Sequence, residues 1–217
     1  MIPACAPPAS FPPTDQALSE PNGLLAVGGD LSSERLLEAY RRGIFPWYNE
    51  GDPLLWWTPN PRAVLFPREL RISRSLRKRI RSGVFKVRLN CAFEQVIKAC
   101  AAPRGNDAGT WIDSDMASAY TQLHRLGAAH SFESWYGGEL VGGLYGIGLG
   151  RVFFGESMFT RQTDASKVAL AYLCASGYEL IDCQLPTAHL TRLGARLIAR
   201  VEFEALLARL VDLEPDG

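Results

Sequence analysis

The chain has 217 residues, 47% hydrophobic and 21% charged, with 23 basic and 23 acidic side chains. That length and balance describe one large or two small globular domains with a sizeable core, and a net charge of zero excludes a uniformly basic nucleic-acid binder. Five cysteines without a CxxC pair and three histidines without HExxH spacing argue against a disulfide framework and a zinc site, so a reducing cytosol and no metal are expected.

The opening MIPACAPPASFPP has neither the basic region nor the apolar run of a secretory signal, and its prolines predict an irregular, partly mobile entry. The longest apolar tract, residues 140–149, is Gly-rich, too short to span a bilayer and followed by Arg151, so no membrane segment is expected. Pro21-Asn22-Gly23 and Gly28-Gly29-Asp30 enclose a strand over residues 24–27. Gly28-Gly29 could cradle a phosphate, but neither G-x-G-x-x-G nor a Walker motif follows, and a plain turn is the simpler reading. Ser32 or Ser33 caps a helix to Tyr40, stopped at Gly43, with Leu36, Leu37 and Tyr40 inward. Phe45, Trp47, Tyr48, Trp56 and Trp57 follow; such a cluster is either core filler or a stacking platform for an unpaired base. Pro59 and Pro61 mark a boundary between a small N-terminal domain, residues 1–60, and a larger one, residues 61–217.

Beyond the boundary the pattern is mixed α/β. Residues 63–66 read as a strand and residues 73–82 as a basic helix. Residues 68–88 hold nine of the 23 basic side chains and one acid, leaving 14 basic against 22 acidic elsewhere, a net −8. Arg74, Arg77, Lys78, Arg79 and Arg81 are either a solvated helix face or a phosphate-contacting patch on an acidic body. A strand over 85–89 leads to a helix with stripe Phe93, Val96, Ile97 and Cys100, capped by Asn90. After a polar loop, residues 103–109, Trp111 is a packing anchor or a lid over a ligand. Asp113 or Ser114 caps the next helix, with Met116, Tyr120 and Leu123 inward and Gly127 as its stop. His124 and His130 read as hydrogen-bonded structural residues. A meander over 130–136, 139–146 and 151–155 follows; Gly142-Gly143 inside it marks a bulge or a chain passing close. Residues 187–193 form a short helix closed by Gly194, residues 196–201 a last strand, and Phe203, Leu206, Leu207 and Leu210 stripe the final helix.

The stretch that organises the chain is residues 155–184. A strand end carries Glu156 and Met158; a polar turn leads to a helix with stripe Val168, Ala171, Tyr172 and Ala175. Thr163 or Asp164 caps that helix, Gly177 stops it, and a strand ends in Asp182-Cys183-Gln184. The two strands of such a unit run parallel, and the polar groups at their ends converge in a crevice. Spacing alone gives an α+β class with a mostly antiparallel sheet.

GESMF, DASK and LIDCQ, in this order and spacing, strongly resemble the leucyl/phenylalanyl-tRNA–protein transferase family. The likeness extends upstream through EPNGLLAVGGDLS, RGIFPW, WWTPNPRAV and GTWI, and covers the chain from Phe11 to about residue 207. It implies an α+β fold in which a small N-terminal domain precedes a GNAT-like acyltransferase domain with a mixed, mostly antiparallel sheet. It implies an aminoacyltransferase that moves Leu or Phe (also Met) from Leu-tRNA or Phe-tRNA to the N-terminal Arg or Lys of proteins, in the N-end rule degradation pathway. No ATP, metal or coenzyme is needed because the aminoacyl ester is already activated; a cytoplasmic monomer is expected.

By the same resemblance, Trp47 faces the 3′ end of the tRNA and Trp111 covers a ligand; with a tRNA donor, the phosphate-contacting reading makes the basic helix the tRNA contact. Asp182 orients the acceptor's α-amine and takes or relays its proton. Gln184, two residues on in an extended strand, faces the same side and holds the amine or the ester carbonyl. Glu156 pairs with the acceptor's Arg or Lys side chain, so that replacing it with Gln raises KM more than it lowers kcat. Met158, Phe154, Leu144 and Tyr145 are candidates for the donor pocket, Met158 first. An alternative is an acyl-CoA-dependent N-acyltransferase, which needs a Gly-rich pyrophosphate loop where this chain has TRQTDAS. A third reading is a non-catalytic RNA-binding module built on the basic helix.

Overall fold

In the computed structural model, which describes residues 1–3, 5–49, 51–103 and 112–213, two sheets share one core. The helices are α1 (Ser33–Arg41), α2 (Arg74–Arg81), α3 (Phe93–Ala101), α4 (Ser114–Arg125), α5 (Ala165–Leu173), α6 (Ala188–Arg192) and α7 (Arg200–Leu210). The first sheet holds β1 (Leu24–Val27), β2 (Phe45–Pro46) and β3 (Leu55–Trp57), antiparallel in the order β1-β3-β2. Gly28 and Gly29 have φ of 93° and 83°, and their N–H groups donate to Leu54 O and Ile2 O at 2.8 and 2.7 Å. With both amides spent, the pair is a turn and offers a phosphate nothing.

The Pro-rich entry is anchored to the rest of the chain at several points. Ile2 bridges to Gly28, and Phe11 packs edge-on against Trp56 with centroids 4.8 Å apart. Buried Arg35 donates to Ala6 O at 2.6 Å and Pro7 O at 3.2 Å, and Arg42 to Pro12 O at 2.7 Å. Prolines lack an N–H but keep a carbonyl acceptor, and two guanidinium forks use those carbonyls. The sequence pattern does not reveal such distant partners.

The second sheet holds β4 (Arg62–Leu65), β5 (Lys86–Leu89), β6 (Ala129–Tyr136), β7 (Glu139–Leu149), β8 (Val152–Thr160), β9 (Leu180–Gln184) and β10 (Arg196–Ile198). Their order is β10-β4-β9-β8-β7-β6-β5. Every neighbouring pair is antiparallel except β8 and β9, the pair joined through α5. This is the expected α+β class with a mixed, mostly antiparallel sheet. Side chains alternate across the strands. Tyr145, Ile147 and Phe154 join Tyr40, Phe93 and Tyr120 in one core, while Leu144 and Phe153 join Leu170 and Leu173 in another.

Several local expectations shift, each for a visible reason. The β7–β8 hairpin closes tightly at Gly150, φ 54°, so both strands outrun their expected ends. Asn90 adopts φ 58° and does not cap α3; the buried Glu133 of β6 reaches across to accept from Ala92 N at 2.7 Å. Asp164 is left-handed and makes no cap to α5, its carboxylate taking Lys167 Nζ at 2.8 Å instead. The α5 stripe is rotated: Ala165, Val168, Ala169 and Leu173 are buried, Tyr172 is exposed and Ala175 lies beyond the helix. Small residues win the inward face because α5 sits directly on the sheet at Gly142. The last strand stops at Ile198 because α7 begins at Arg200, whose N–H donates to Asn60 Oδ1 at 3.0 Å. His124 is structural, as expected, stacked on Phe93 at 4.2 Å with Nδ1 2.8 Å from Ala129 O. Apart from Pro103, the loop expected over residues 103–109 lies outside the described residues, as does Trp111. Among the described residues no helix is long and apolar enough to cross a membrane.

A Cβ on Gly142 would lie 2.5 Å from Ala165 Cβ and 2.9 Å from two backbone atoms of α5. Both readings of this glycine hold, since Val141 beside it is skipped in the β6–β7 register. Gly142→Ala is expected to lower unfolding free energy by about 1–3 kcal/mol through overpacking. Urea denaturation measures this, and an unchanged midpoint would contradict so close an approach.

Candidate active site

The parallel strands β8 and β9 pair from Val152/Leu180 to Phe154/Asp182. Past that point each strand carries an irregularity. In β8 the register against β7 jumps from Gly155 to Ser157, leaving Glu156 as the extra residue of a bulge. In β9 the register against β4 jumps from Asp182 to Gln184, leaving Cys183 as the extra residue. Bulges bend a strand and re-aim side chains. Here they flank a cavity of about 560 Å³ lined by residues 155–158 and 182–185, with Phe45, Pro46, Trp47, Leu144, Leu170 and Leu190 among the other walls.

Glu156 is held by three donors. The Tyr40 hydroxyl donates to Oε1 at 2.7 Å and Gln184 Nε2 to the same oxygen at 3.3 Å, while the Tyr120 hydroxyl donates to Oε2 at 2.9 Å. The two hydroxyls also touch each other. Burial pushes the Glu156 carboxyl up to about 7 against the pull of the tyrosine donors; the Asp182 charge adds to the rise and Arg62 opposes it.

Asp182, expected to reach the acceptor amine, is fully buried and engaged elsewhere. Arg62 Nε donates to its Oδ1 at 2.8 Å and Arg62 Nη2 to its Oδ2 at 2.6 Å, and Gln184 N donates to Oδ1 at 3.0 Å. The Arg62 guanidinium lies 4.7 Å from the ring centres of both Phe45 and Phe203. Gln184 has φ 55°, uncommon for a side-chain-bearing residue. This conformation and the bulge at Cys183 break the extended geometry that would have put Asp182 and Gln184 on one side. Asp182 turns to Arg62 and Gln184 to Glu156.

Of the donor-pocket candidates, Met158 and Leu144 line the cavity, and Trp47 stands at its edge, 40% exposed and edge-on to Trp57 at 5.6 Å. Phe154 and Tyr145 do not line it. Both are fully buried on the opposite sheet face, Phe154 5.1 Å from Tyr40 and Tyr145 5.6 Å from Tyr120; strand alternation sends them there. On α2, Arg74, Arg77, Lys78 and Arg81 are exposed along one groove. Arg79 turns the other way, 3.5 Å from Asp164 and over Phe85.

Sequence reasoning missed Arg62, Tyr40 and Tyr120 as members of the site. The tyrosines read as stripe residues, and their one signal is that a buried phenol must place its hydroxyl. His189 and Cys183 also line the cavity. Burial, then the charges of Lys167 and Arg192, push the His189 imidazole below its ordinary value, so it is neutral at pH 7. Burial pushes the Cys183 thiol far up, leaving it a protonated wall residue.

Residues 64–208 match the family described as leucyl/phenylalanyl-tRNA protein transferase, and residues 29–60 match that family's N-terminal domain. A Nitrosomonas eutropha protein named leucyl/phenylalanyl-tRNA–protein transferase is 60% identical over 206 residues, 93% of this chain and 88% of its own. A Nitrosospira multiformis protein of the same name is 58% identical, covering 100% of this chain and 95% of its own. Among solved structures, a GCN5-related N-acetyltransferase-like protein from Streptococcus suis covers 76% of this chain and 64% of its own at 15% identity, with a TM-score of 0.37. A score so low carries no argument.

A carboxyl whose folded pKa rises from 4.5 to about 7 binds its proton more tightly in the folded state. Its favourable contribution is complete below about 4.5 and is lost as pH rises through 7. Glu156→Gln removes that loss. Its melting temperature relative to wild type is therefore expected to be higher at pH 8.5 than at pH 5; a difference that does not change with pH would contradict the raised carboxyl.

Proposed function

Because this chain belongs to the leucyl/phenylalanyl-tRNA protein transferase family, and so is an aminoacyl-tRNA–protein transferase, we propose how its residues divide that work. The acceptor is a protein N-terminus beginning with Arg or Lys, the donor Leu-tRNA or Phe-tRNA. The observation that carries this reading is the lining of the cavity. It includes the Glu156 carboxylate, with Asp182 behind it already paired to Arg62, a broad apolar side, and no Lys or Arg among the described residues. A cationic N-terminal residue suits the carboxylate end, and a leucyl or phenylalanyl side chain suits Met158, Leu144, Leu170 and Leu190. Methionine adapts to both branched and aromatic shapes.

Glu156 takes the proton of the acceptor's α-ammonium, the task first assigned to Asp182. An α-amine titrates at about 7.7–8.0, and a carboxyl raised to about 7 is close enough in affinity to receive its proton at neutral pH. The freed amine attacks the ester carbonyl and forms the new C–N bond; as the C–O bond breaks, the proton that the attacking nitrogen sheds passes to the tRNA 3′ oxygen, which departs as a hydroxyl. Gln184, its amide already within reach of Glu156, orients the amine beside the ester. Asp182 contributes by position, through Arg62 and the Gln184 N–H. Most of the acceleration then comes from alignment of two bound substrates. Trp47 and the exposed basic residues of α2 serve the tRNA, the first by stacking and the second by phosphate contact.

The acyl-CoA alternative finds little support. Asp164 stands at the N-terminus of α5, where a pyrophosphate would need N–H donors free of negative charge. No disulfide joins the cysteines among the described residues, which suits the cytoplasm.

The test is transfer of radiolabelled leucine or phenylalanine from charged tRNA to peptides that begin with Arg, Lys or Ala. Transfer to the Arg and Lys peptides alone is expected, and Glu156→Gln is expected to lower kcat by about 10²–10⁴-fold. Equal transfer to the Ala peptide would overturn the acceptor assignment. A Glu156→Gln effect confined to KM would return Glu156 to side-chain pairing.

A further inference from the structure

We propose that Tyr40 and Tyr120 are positioning residues that clamp the Glu156 carboxylate, one hydroxyl on each oxygen, and set its proton affinity. The inference rests on the reading of Glu156 as the proton acceptor. Tyr40 comes from α1 and Tyr120 from α4, so two separate elements converge on one residue of β8. Their hydroxyls donate to Oε1 at 2.7 Å and to Oε2 at 2.9 Å. Both residues are fully buried and neither lines the cavity, so they reach the chemistry only through Glu156.

Packing fixes the clamp from behind. The Tyr40 ring lies 5.1 Å from Phe154 and the Tyr120 ring 5.6 Å from Tyr145. A core stripe asks only for ring volume at these places, which phenylalanine would supply; the two hydroxyls answer to the carboxylate. As the extra residue of a bulge, Glu156 has no cross-strand partner to hold it. Two donors on opposite oxygens remove its freedom to turn and favour its ionised form, against the burial that favours the protonated one.

The other groups acting on Glu156 are the Asp182 carboxylate, which works against ionisation, and the Arg62 guanidinium, which works for it. Tyr145 faces the two clamp tyrosines, and neutral His189 lines the same cavity. Burial raises both clamp phenols far above their ordinary value of 10.0. They therefore remain donors throughout the working range and never compete for the proton.

The test is a direct titration of the Glu156 carboxyl by NMR with glutamate ¹³C-labelled at Cδ, the signal being identified by its loss in Glu156→Gln. Wild type, Tyr40→Phe and Tyr120→Phe are compared, each also assayed for the pH dependence of kcat with saturating Leu-tRNA and Arg peptide. Losing one charge-assisted hydrogen bond is expected to raise the midpoint by about one to two pH units in each variant. The acid limb of kcat is expected to move up with it. An unchanged or lowered midpoint in both variants, even with a lower melting temperature, would overturn the clamp and leave the tyrosines as packing. A midpoint that rises while the acid limb stays in place would uphold the clamp and overturn Glu156 as the proton acceptor.

Discussion

The geometry of the site depends on the buried ion pair between Arg62 and Asp182. Both side chains are inaccessible to solvent and meet through two hydrogen bonds, 2.8 and 2.6 Å long. Burying such a pair costs much of its Coulombic gain, but removing one partner alone leaves a bare charge in the core, at about 3–5 kcal/mol. Arginine suits this place because its weakly hydrated, planar cation can lie between two rings while its edge grips a carboxylate. Phe45 belongs to β2 and Phe203 to α7, so one guanidinium ties the small sheet and the last helix to the point where β8 and β9 part. Asp182 then fixes the Gln184 backbone, and Gln184 reaches Glu156.

Under the proposed division of work, this arrangement gives the two carboxylates different parts. Asp182 is neutralised by a permanent partner and does structural work. Glu156 faces the cavity, has neutral donors and, among the described residues, no cation in direct contact, and it keeps a proton affinity near that of an amine. Separating the two tasks requires the strands to stop pairing just beyond Asp182, and the two bulges provide that break. Regular strands would have left both side chains in a flat row.

Much of this was legible in the sequence, and the part that was not has a common cause. The parallel strand–helix–strand unit and the convergence of Glu156, Asp182 and Gln184 followed from periodicity, turn chemistry and family words, although α5 ends at Leu173, before the expected stop at Gly177. Those signals are local. Arg62 and Asp182 are 120 positions apart, as are Tyr40 and Glu156 by 116, and no local pattern announces such partners. The same blindness made the Pro-rich entry look loose, since its carbonyls are held by Arg35 and Arg42. Bulges were the other failure. A period-of-two reading assumes unbroken strands, so it aligned Asp182 with Gln184 and Phe154 with Met158 across the bulge at Glu156; Tyr145, next to Leu144, faces the core by the alternation itself. The rotated face of α5 shows the same limit: apolar character pointed to Tyr172, whereas contact with Gly142 required alanine.

In the proposed mechanism Asp182 acts by position while Glu156 handles the proton. The most direct measurement is the pH dependence of single-turnover leucyl transfer by Asp182→Asn at saturating substrates. Removing the Asp182 charge leaves Arg62 to favour ionised Glu156. The acid limb is therefore expected to survive, displaced to lower pH, beneath a reduced plateau. Loss of the acid limb in Asp182→Asn, together with its persistence in Glu156→Gln, would contradict the claim and return the proton to Asp182.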